Sequence, residues 1–167
     1  MFIEAASVVV LLEEAGVPRE IATMIIAMTP IFELRASIPI AITVLEMHPL
    51  SAYLWSVFGN VLPVLIIVFL LEKVSSFLST RFECWKKFFD WLFARTRKRV
   101  HKQIEKYGDW GLFFLVAIPL PVTGGWTGAL AAFLFGIKKV KAIPLITLGI
   151  MTAGVIVLLL TLGAIKL

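Results

Sequence analysis

Residues 21–47 read IATMIIAMTPIFELRASIPIAITVLEM, an apolar stretch broken near its middle by two prolines and two charges, Glu33 and Arg35. Each apolar arm is about ten residues long, which at 1.5 Å per residue reaches roughly 15 Å, half the thickness of a bilayer's hydrocarbon core. Arms of this length predict helices that enter the membrane and turn back. We therefore interpret residues 20–47 as the first of two re-entrant helical hairpins.

Residues 110–137 repeat this organisation without a charge, as WGLFFLVAIPLPVTGGWTGALAAFLFGI. Prolines and glycines break the run at PLPVTGGWTG, residues 119–128. The alternative for both segments is one full-length helix with a proline kink. A full crossing by the second segment would leave Lys138, Lys139 and Lys141 outside, against the tendency of Lys and Arg to stay on the cytoplasmic side. Charge placement therefore favours a hairpin at 110–137.

Two further segments, 51–71 and 142–165, carry no charge and exceed the roughly 20 residues that a helix needs to cross hydrocarbon. Of the 167 residues, 60% are hydrophobic and 16% are charged, with a mean hydropathy of +0.97. This composition excludes an ordinary soluble enzyme. It predicts a single-domain, all-α integral membrane protein that passes the cell membrane several times, with a short amphipathic helix at residues 1–16.

Ten of the 16 Lys and Arg residues lie within 73–106, together with three acids. Aromatic and aliphatic residues recur between them at helical spacing, which predicts an amphipathic interfacial helix that binds anionic lipid head groups. The excess of positive charge places this linker on the cytoplasmic side. Nucleic-acid binding is the other interpretation of a basic run, but the interleaved apolar residues favour lipid, and we expect no nucleic-acid partner.

The two halves of the chain share one order of elements, a hairpin followed by a span, with the linker between them. A shift of about 90 residues superposes the halves. Identities at this shift include Ala41 with Ala131, Ala52 with Ala142, Gly59 with Gly149, Ile66 with Ile156 and Leu70 with Leu160. The halves would have opposite orientations in the membrane, as in the inverted repeats of many secondary transporters, whose broken helices line a substrate site near the midplane.

Glu33 and Arg35 are the only charges between Glu20 and Glu46. A charge at this depth costs at least about 2.5–3.5 kcal/mol, so it should be paired, hydrated or functional. Glu33 could accept a proton while Arg35 offers a forked donor to a phosphate or carboxylate. The alternative is a structural ion pair that caps the hairpin against the other repeat.

The second break has no ionisable group, but its Thr and Gly residues could expose backbone amides at the start of a helix, where anions bind. This loop and Arg35 could then hold one anionic group between them. The alternative is that the glycines only let the hairpins approach closely. Asn60 and Pro63, within the first span, predict a kink or a packing contact, with substrate binding as the alternative. Scattered histidines and a single cysteine predict no metal site, and neither a cofactor motif nor an enzyme motif is present.

The motifs ELRASIP at 33–39 and PLPVTGGWTGALAAFLFGI at 119–137 resemble the small multi-drug export protein family, which is similar to the DedA superfamily of membrane proteins. The resemblance implies facing re-entrant hairpins in inverted repeats, an ion-coupled transporter or lipid translocator, and frequent homo-oligomerisation. DedA proteins usually have an arginine in the second hairpin. That hairpin has none here, so Arg35 alone would have to bind a phosphate.

Residue chemistry and resemblance together give one set of candidate substrate- or ion-binding residues. They are Glu33, Arg35, Pro39, Pro119, Pro121, Thr123, Gly124, Gly125, Trp126, Thr127 and Gly128. The leading hypothesis is a proton- or ion-coupled transporter that exports or takes up an amphipathic or anionic small molecule between the hairpins. One alternative is a lipid or lipid-phosphate translocase or scramblase. The other is a non-transporting structural membrane protein.

Overall fold

The computed structural model describes residues 2–119 and 123–165. Within these ranges every regular element is helical and no strand is present, which confirms the predicted all-α class. The helices are α1 (Phe2–Glu14), α2 (Arg19–Met28), α3 (Glu33–Thr43), α4 (Pro49–Arg81), α5 (Glu83–Tyr107), α6 (Gly111–Ala117), α7 (Gly125–Leu134) and α8 (Lys139–Ile165), with a 3₁₀ turn at Gly108–Trp110 before α6.

Two helices are long and apolar enough to cross a membrane, over Pro49–Leu78 in α4 and Lys139–Ile165 in α8. They contain the two uncharged segments of the sequence, so membrane-compatible helices occur where they were predicted. The helices run antiparallel. The Tyr53 hydroxyl donates to the Met151 carbonyl at 3.2 Å, and the Lys139 ammonium lies 5.2 Å from the centre of the Phe69 ring.

The antiparallel pair defines two sides of the molecule. On one side α4 ends, α5 lies and α8 begins, and we call this the α5 side. On the other side α4 begins and α8 ends, and we call this the α1 side, because α1 packs there through the buried Val9, in a cluster with Leu45 and Ala52. The sides give a reference for depth along α4 and α8. Asn60 lies at the centre of the uncharged segment 51–71 of α4, and Ile150 lies near the middle of α8.

α4 is longer than the sequence indicated. The first span was expected to end at Leu71 and the linker to form one helix from 73 to 106, but α4 continues to Arg81. No glycine or proline lies between Pro63 and Arg81, so nothing in the chain stops the helix there. The break comes at Phe82, whose extended backbone (φ −140°, ψ 120°) separates α4 from α5.

Each broken apolar segment forms two short helices whose outer ends meet. At the first, the Thr23 hydroxyl in the first half of α2 donates to the sulfur of Met47, which follows α3, at 3.2 Å. At the second, Lys141 Nζ at the start of α8 bonds to Asp109 Oδ2, just before α6, at 2.7 Å. The breaks themselves therefore lie away from these ends, toward the middle of α4 and α8.

Glycines on α4 and α8 allow the first short helix of each broken segment, α2 and α6, to pack closely against them. A Cβ at Gly59 would meet the Met24 carbonyl oxygen of α2 at 2.5 Å, and a Cβ at Gly149 would meet the Phe113 carbonyl oxygen of α6 at 3.1 Å. Only glycine permits such an approach of helix to backbone. The breaks are thereby held against the middle of the molecule, where the candidate residues gather.

Candidate functional site

Glu33 is the first residue of α3, and only 8% of its side chain is exposed. Its backbone has a positive φ of 49°, in the left-handed region that residues other than glycine rarely occupy. Residues two apart would diverge on a regular helix, but this irregular start lets Arg35 Nη2 donate to Glu33 Oε2 at 3.1 Å. A strained backbone position of this kind costs about 1–3 kcal/mol and persists only where the surrounding structure holds it.

The Glu33 carboxylate lies at the beginning of α7. It packs against Gly124 so closely that a Cβ there would overlap both carboxylate oxygens. The backbone N–H of Trp126 donates to the same carboxylate. The amides at a helix N-terminus favour a negative charge. The sequence suggested a bound anion at this loop beside Arg35, and in the structure the carboxylate of Glu33 occupies that position.

The start of α7 also contacts α2 and the two long helices. The Trp126 indole Nε1 donates to the Met28 carbonyl, at the end of α2, at 3.2 Å. A Cβ at Gly125 would lie 2.8 Å from Asn60 Oδ1 and 3.1 Å from Ile150 Cδ1. The glycines therefore do permit the close approach that was the alternative interpretation of the motif, at the same time as they receive the carboxylate.

A cavity of about 410 Å³ lies on the α5 side of the Glu33–Arg35 pair. Thr123, Trp126 and Thr127 form one wall, as parts of the second break and α7. The remaining wall is almost entirely apolar, contributed by Pro30, Ile31, Ile67, Leu71, Phe88, Leu92 and Leu130. A mostly apolar cavity with a few convergent polar groups is the usual form of a small-molecule site. We refer to it as the α5-side cavity.

A second cavity, of about 480 Å³, lies on the α1 side of the same pair. Arg35, Pro39 and Pro119 line it, all three among the residues predicted from the sequence. Its other lining residues are Thr43, Val157, Leu160, Thr161, Ala164 and Ile165. Arg35 lines both cavities, and 26% of its side chain is exposed. We refer to this space as the α1-side cavity.

Two predicted residues lie elsewhere. Gly128 is one turn into α7, where a Cβ would be 2.7 Å from Val116 Cγ2 and 3.3 Å from Ile146 Cγ1, so this glycine serves helix packing. Pro121 lies outside the described residues. The structure thus brings together the charged pair, both flanking prolines at 39 and 119, and the segment from Thr123 to Thr127.

Sequence reasoning undervalued Asn60. Its side chain is fully buried, in the first half of α4, and faces Gly125. The available signal was an amide in the centre of an uncharged span, where a polar group without a partner is costly. The apolar walls at Phe88 and Leu92 were also missed as site residues, because in the sequence they belong to a basic amphipathic segment whose apolar face could equally meet lipid.

The arrangement is suited to binding and to proton exchange. Within the described lining of the two cavities, Glu33 and Arg35 are the charged groups, and the described residues contain no cluster of three His, Cys, Asp or Glu side chains that could hold a metal. A carboxylate can gain or lose a proton, and a guanidinium can bind an oxyanion with two parallel hydrogen bonds.

Comparison with known proteins gives one finding. The model of the family described as "Putative small multi-drug export protein" matches residues 33–156, about three quarters of the chain. The match begins at Glu33, directly after the first break, and includes α3, α4, α5, the second break with the helices on either side of it, and α8 as far as Ile156. No curated protein and no solved structure matches the chain at the similarity required.

Proposed function

This chain belongs to the small multi-drug export protein family, and on that premise we propose that it is a membrane transporter that moves an amphipathic or anionic small molecule together with protons bound at Glu33. The observation that carries the proposal is the position of Arg35, which lines a cavity on each side of the molecule. A substrate group held by Arg35 could be approached from either side, which is the requirement for alternating access.

The proposed coupling is a competition for Arg35. The guanidinium is bound to the Glu33 carboxylate at 3.1 Å. A proton on Glu33 removes the charge that holds Arg35 and frees its donors for an anionic substrate. Binding of the substrate and binding of the proton then favour each other by the same factor, since linkage is reciprocal. Acidification of the side from which substrate is loaded should therefore increase transport.

We propose that the two broken segments are re-entrant hairpins of an inverted repeat, as in the DedA superfamily. Four contacts support this. The ends of each segment are joined, through Thr23 with Met47 and Asp109 with Lys141. The contact of Gly59 with Met24 in the first half recurs as Gly149 with Phe113 in the second, at nearly the same shift of about 90 residues.

We also propose that the α5 side faces the cytoplasm and that α5 lies against anionic head groups. α5 exposes Trp85, Phe88 and Trp91 beside its basic residues, and Arg95 stacks over the Trp91 ring at 5.3 Å. Aromatic rings and basic side chains together are typical of a helix in the membrane interface.

The experiment that tests transport uses purified protein in liposomes and 4-methylumbelliferyl sulfate, a membrane-impermeant aromatic anion. We expect uptake that rises as the external medium is acidified. Glu33→Gln mimics the protonated carboxylate, so its uptake should no longer depend on pH. Glu20→Gln removes a carboxylate from α2, outside the linings of both cavities, and should keep the pH dependence of the wild type. An unchanged pH dependence in Glu33→Gln would contradict the role of Glu33.

A lipid translocase is the second candidate. It is favoured by the wall of the α5-side cavity, where Ile67 and Leu71 of α4 and Phe88 and Leu92 of α5 form an apolar surface suited to an acyl chain. Fluorescently labelled phosphatidylglycerol in the same liposomes, bleached by external dithionite without any gradient, separates the two candidates. Bleaching beyond the outer leaflet that is independent of pH would favour the translocase.

A further inference from the structure

Asn60 is the most unusual polar residue of the interior. It lies at the centre of the uncharged segment 51–71 of α4, its residue is 0% exposed, and neither Oδ1 nor Nδ2 has a hydrogen-bond partner among the described residues. Most buried polar atoms in proteins have a partner, and an orphaned one costs about 1–3 kcal/mol. A nearby residue of the same helix shows the contrast, because the buried Ser56 hydroxyl accepts from Ser37 at 2.8 Å.

Asn60 lines a small cavity together with Glu33. The cavity has a volume of about 10 Å³. Its lining also includes Leu34, Arg35, Val116, Gly124, Gly125, Ile150 and Ala153. The Glu33 carboxylate contacts Gly124, and Asn60 Oδ1 faces the next residue, Gly125. A volume of roughly 10–15 Å³ is what one water molecule needs, and a buried water requires polar partners of the kind that these two side chains offer.

The chemistry of the amide identifies the ligand class. A cation would satisfy only Oδ1 of Asn60 and an anion only Nδ2, whereas water can donate to the first and accept from the second. Larger ligands are excluded by the volume. We propose that one water molecule binds between Asn60 and Glu33, and that Asn60 is a positioning residue that holds this water for Glu33 in both of its protonation states.

The two states need opposite hydrogen bonds. With Glu33 ionised, the water donates to the carboxylate and accepts from Asn60 Nδ2. With Glu33 protonated and separated from Arg35, its O–H donates to the water, which donates in turn to Asn60 Oδ1. An amide is both donor and acceptor and can serve both arrangements, while an apolar side chain can serve neither. The water would thus partner the protonated acid when Arg35 is engaged elsewhere.

The Thr123 and Thr127 hydroxyls line the α5-side cavity together with Glu33, and this water would add a partner of variable polarity in the small cavity at Asn60. Arg35, on the same helix, is the charged group at the carboxylate, and the described faces presented by α4, α6, α7 and α8 are Asn60, Val116, the glycines at 124 and 125, and Ile150 with Ala153. None of these other groups titrates. The backbone N–H of Trp126 can only donate, so it suits the ionised carboxylate alone.

The water site is tested without reference to transport, by a map of the wild-type protein at a resolution that shows ordered water. We expect a density peak within hydrogen-bonding distance of both Asn60 and the Glu33 carboxylate. In Asn60→Leu, which keeps the branched shape of the side chain but is apolar and larger, the peak should be lost. A dry cavity in the wild type would overturn the proposal, whether or not the protein transports anything.

The positioning role rests on the proposed proton coupling and is tested by the pH profile of liposome uptake. We expect Asn60→Leu to lose most of the pH dependence while uptake at the most acidic pH persists. Ser56→Ala, a change of a buried and partnered hydroxyl on the same helix, should keep the wild-type profile. If uptake by the wild type depends on pH and uptake by Asn60→Leu depends on pH in the same way, the positioning role is wrong.

If the wild type shows no transport, the proposed function fails, and the water site is then judged by the density map alone. If Asn60→Leu does not fold, Asn60→Ala, which leaves room for a second water, should fold and retain a graded pH response, and a profile identical to the wild type would overturn the role.

Discussion

Glu33 and Gly124 determine each other at the centre of the molecule. The carboxylate occupies the space in which any other residue at 124 would place its Cβ. The backbone of Gly124 is extended, with a φ of 162°, so the requirement for glycine is one of space at this position. Contact between the two breaks thus depends on one missing methyl group.

We predict that Gly124→Ala displaces Glu33 from the start of α7 and lowers the free energy of unfolding by about 1–3 kcal/mol, as overpacking does. Gly163→Ala is the control, because a Cβ at Gly163 meets no atom within 4 Å. This control should leave stability unchanged or raise it by up to about 1 kcal/mol, since alanine is the better helix former. Thermal unfolding in detergent measures both. Equal effects of the two changes would contradict the contact.

We predict that Arg35→Leu alone destabilises the protein more than the replacement of both Glu33 and Arg35. It leaves the Glu33 carboxylate buried without its cation, and breaking a buried pair costs about 3–5 kcal/mol. Adding Glu33→Gln should restore most of that stability, because the uncompensated charge is removed. A double-mutant cycle by unfolding in detergent measures this coupling.

The same double variant distinguishes transport from a purely structural role. If Glu33 and Arg35 act in transport, Glu33→Gln with Arg35→Leu should fold but move no anion into liposomes. A non-transporting structural protein would regain its cellular function together with its stability. Additive effects of the two changes on stability would mean that the side chains do not interact as described.

At the scale of elements, each break joins two short helices whose outer ends meet. Asp109 Oδ2 and Lys141 Nζ, which flank the second broken segment, are 2.7 Å apart. A kinked helix that crossed the bilayer would separate these ends by roughly 30 Å, the thickness of the hydrocarbon. The distance between residues 109 and 141 in the membrane therefore distinguishes a hairpin from a kinked crossing.

We predict that cysteines at these two positions, in a Cys84→Ser background, are joined by a short bis-methanethiosulfonate reagent in native membranes. The control pairs Asp109→Cys with Thr43→Cys, which lies at the end of α3 on the α1 side, and should not react. Loss of free thiols by mass spectrometry reports the link. A failure of the 109–141 pair with both cysteines accessible would favour a kinked crossing.

α5 should bind anionic lipid through its basic residues. We predict that changing Lys98, Lys102 and Lys106 together to Gln weakens the association of phosphatidylglycerol, since each basic side chain near a charged membrane surface contributes about 1 kcal/mol. The same three changes to Arg keep the charge and should keep the association. Native mass spectrometry with mixed lipids measures the retained phosphatidylglycerol. Equal retention by the Gln and Arg variants would argue against an electrostatic role.

At the scale of the whole molecule, the two cavities lie on opposite sides of one charged pair. Thr43 lines the α1-side cavity and Thr127 the α5-side cavity. We predict that single cysteines at these positions, again with Cys84→Ser, react with an impermeant maleimide from opposite faces of sealed vesicles. Reaction of both from the same face would contradict the two-sided arrangement and with it the proposed path.

Hydropathy and charge spacing were sufficient to predict the helical class, the two long apolar helices and the positions of both breaks, because these properties depend on residues close together in the chain. The end of α4 was placed too early, since a change from apolar to mixed composition alters the environment of a helix without stopping it. The break at Phe82 carries no glycine or proline and gave no sequence signal.

The candidate site also has a part that the sequence predicted and a part that only the structure revealed. Glu33 and Arg35 were evident from the sequence because charges in an apolar stretch are costly and few. That Glu33 is held by the start of α7, that Arg35 lines two cavities, and that Asn60 shares a small cavity with Glu33 were decided by the tertiary structure. Each of these contacts joins residues that are at least 27 positions apart in the chain, or depends on the volume left between packed helices. The sequence alone determined which residues have a high free-energy cost in the membrane. Only the packing of α3 and α7 against α4 and α8 decided which groups those residues contact.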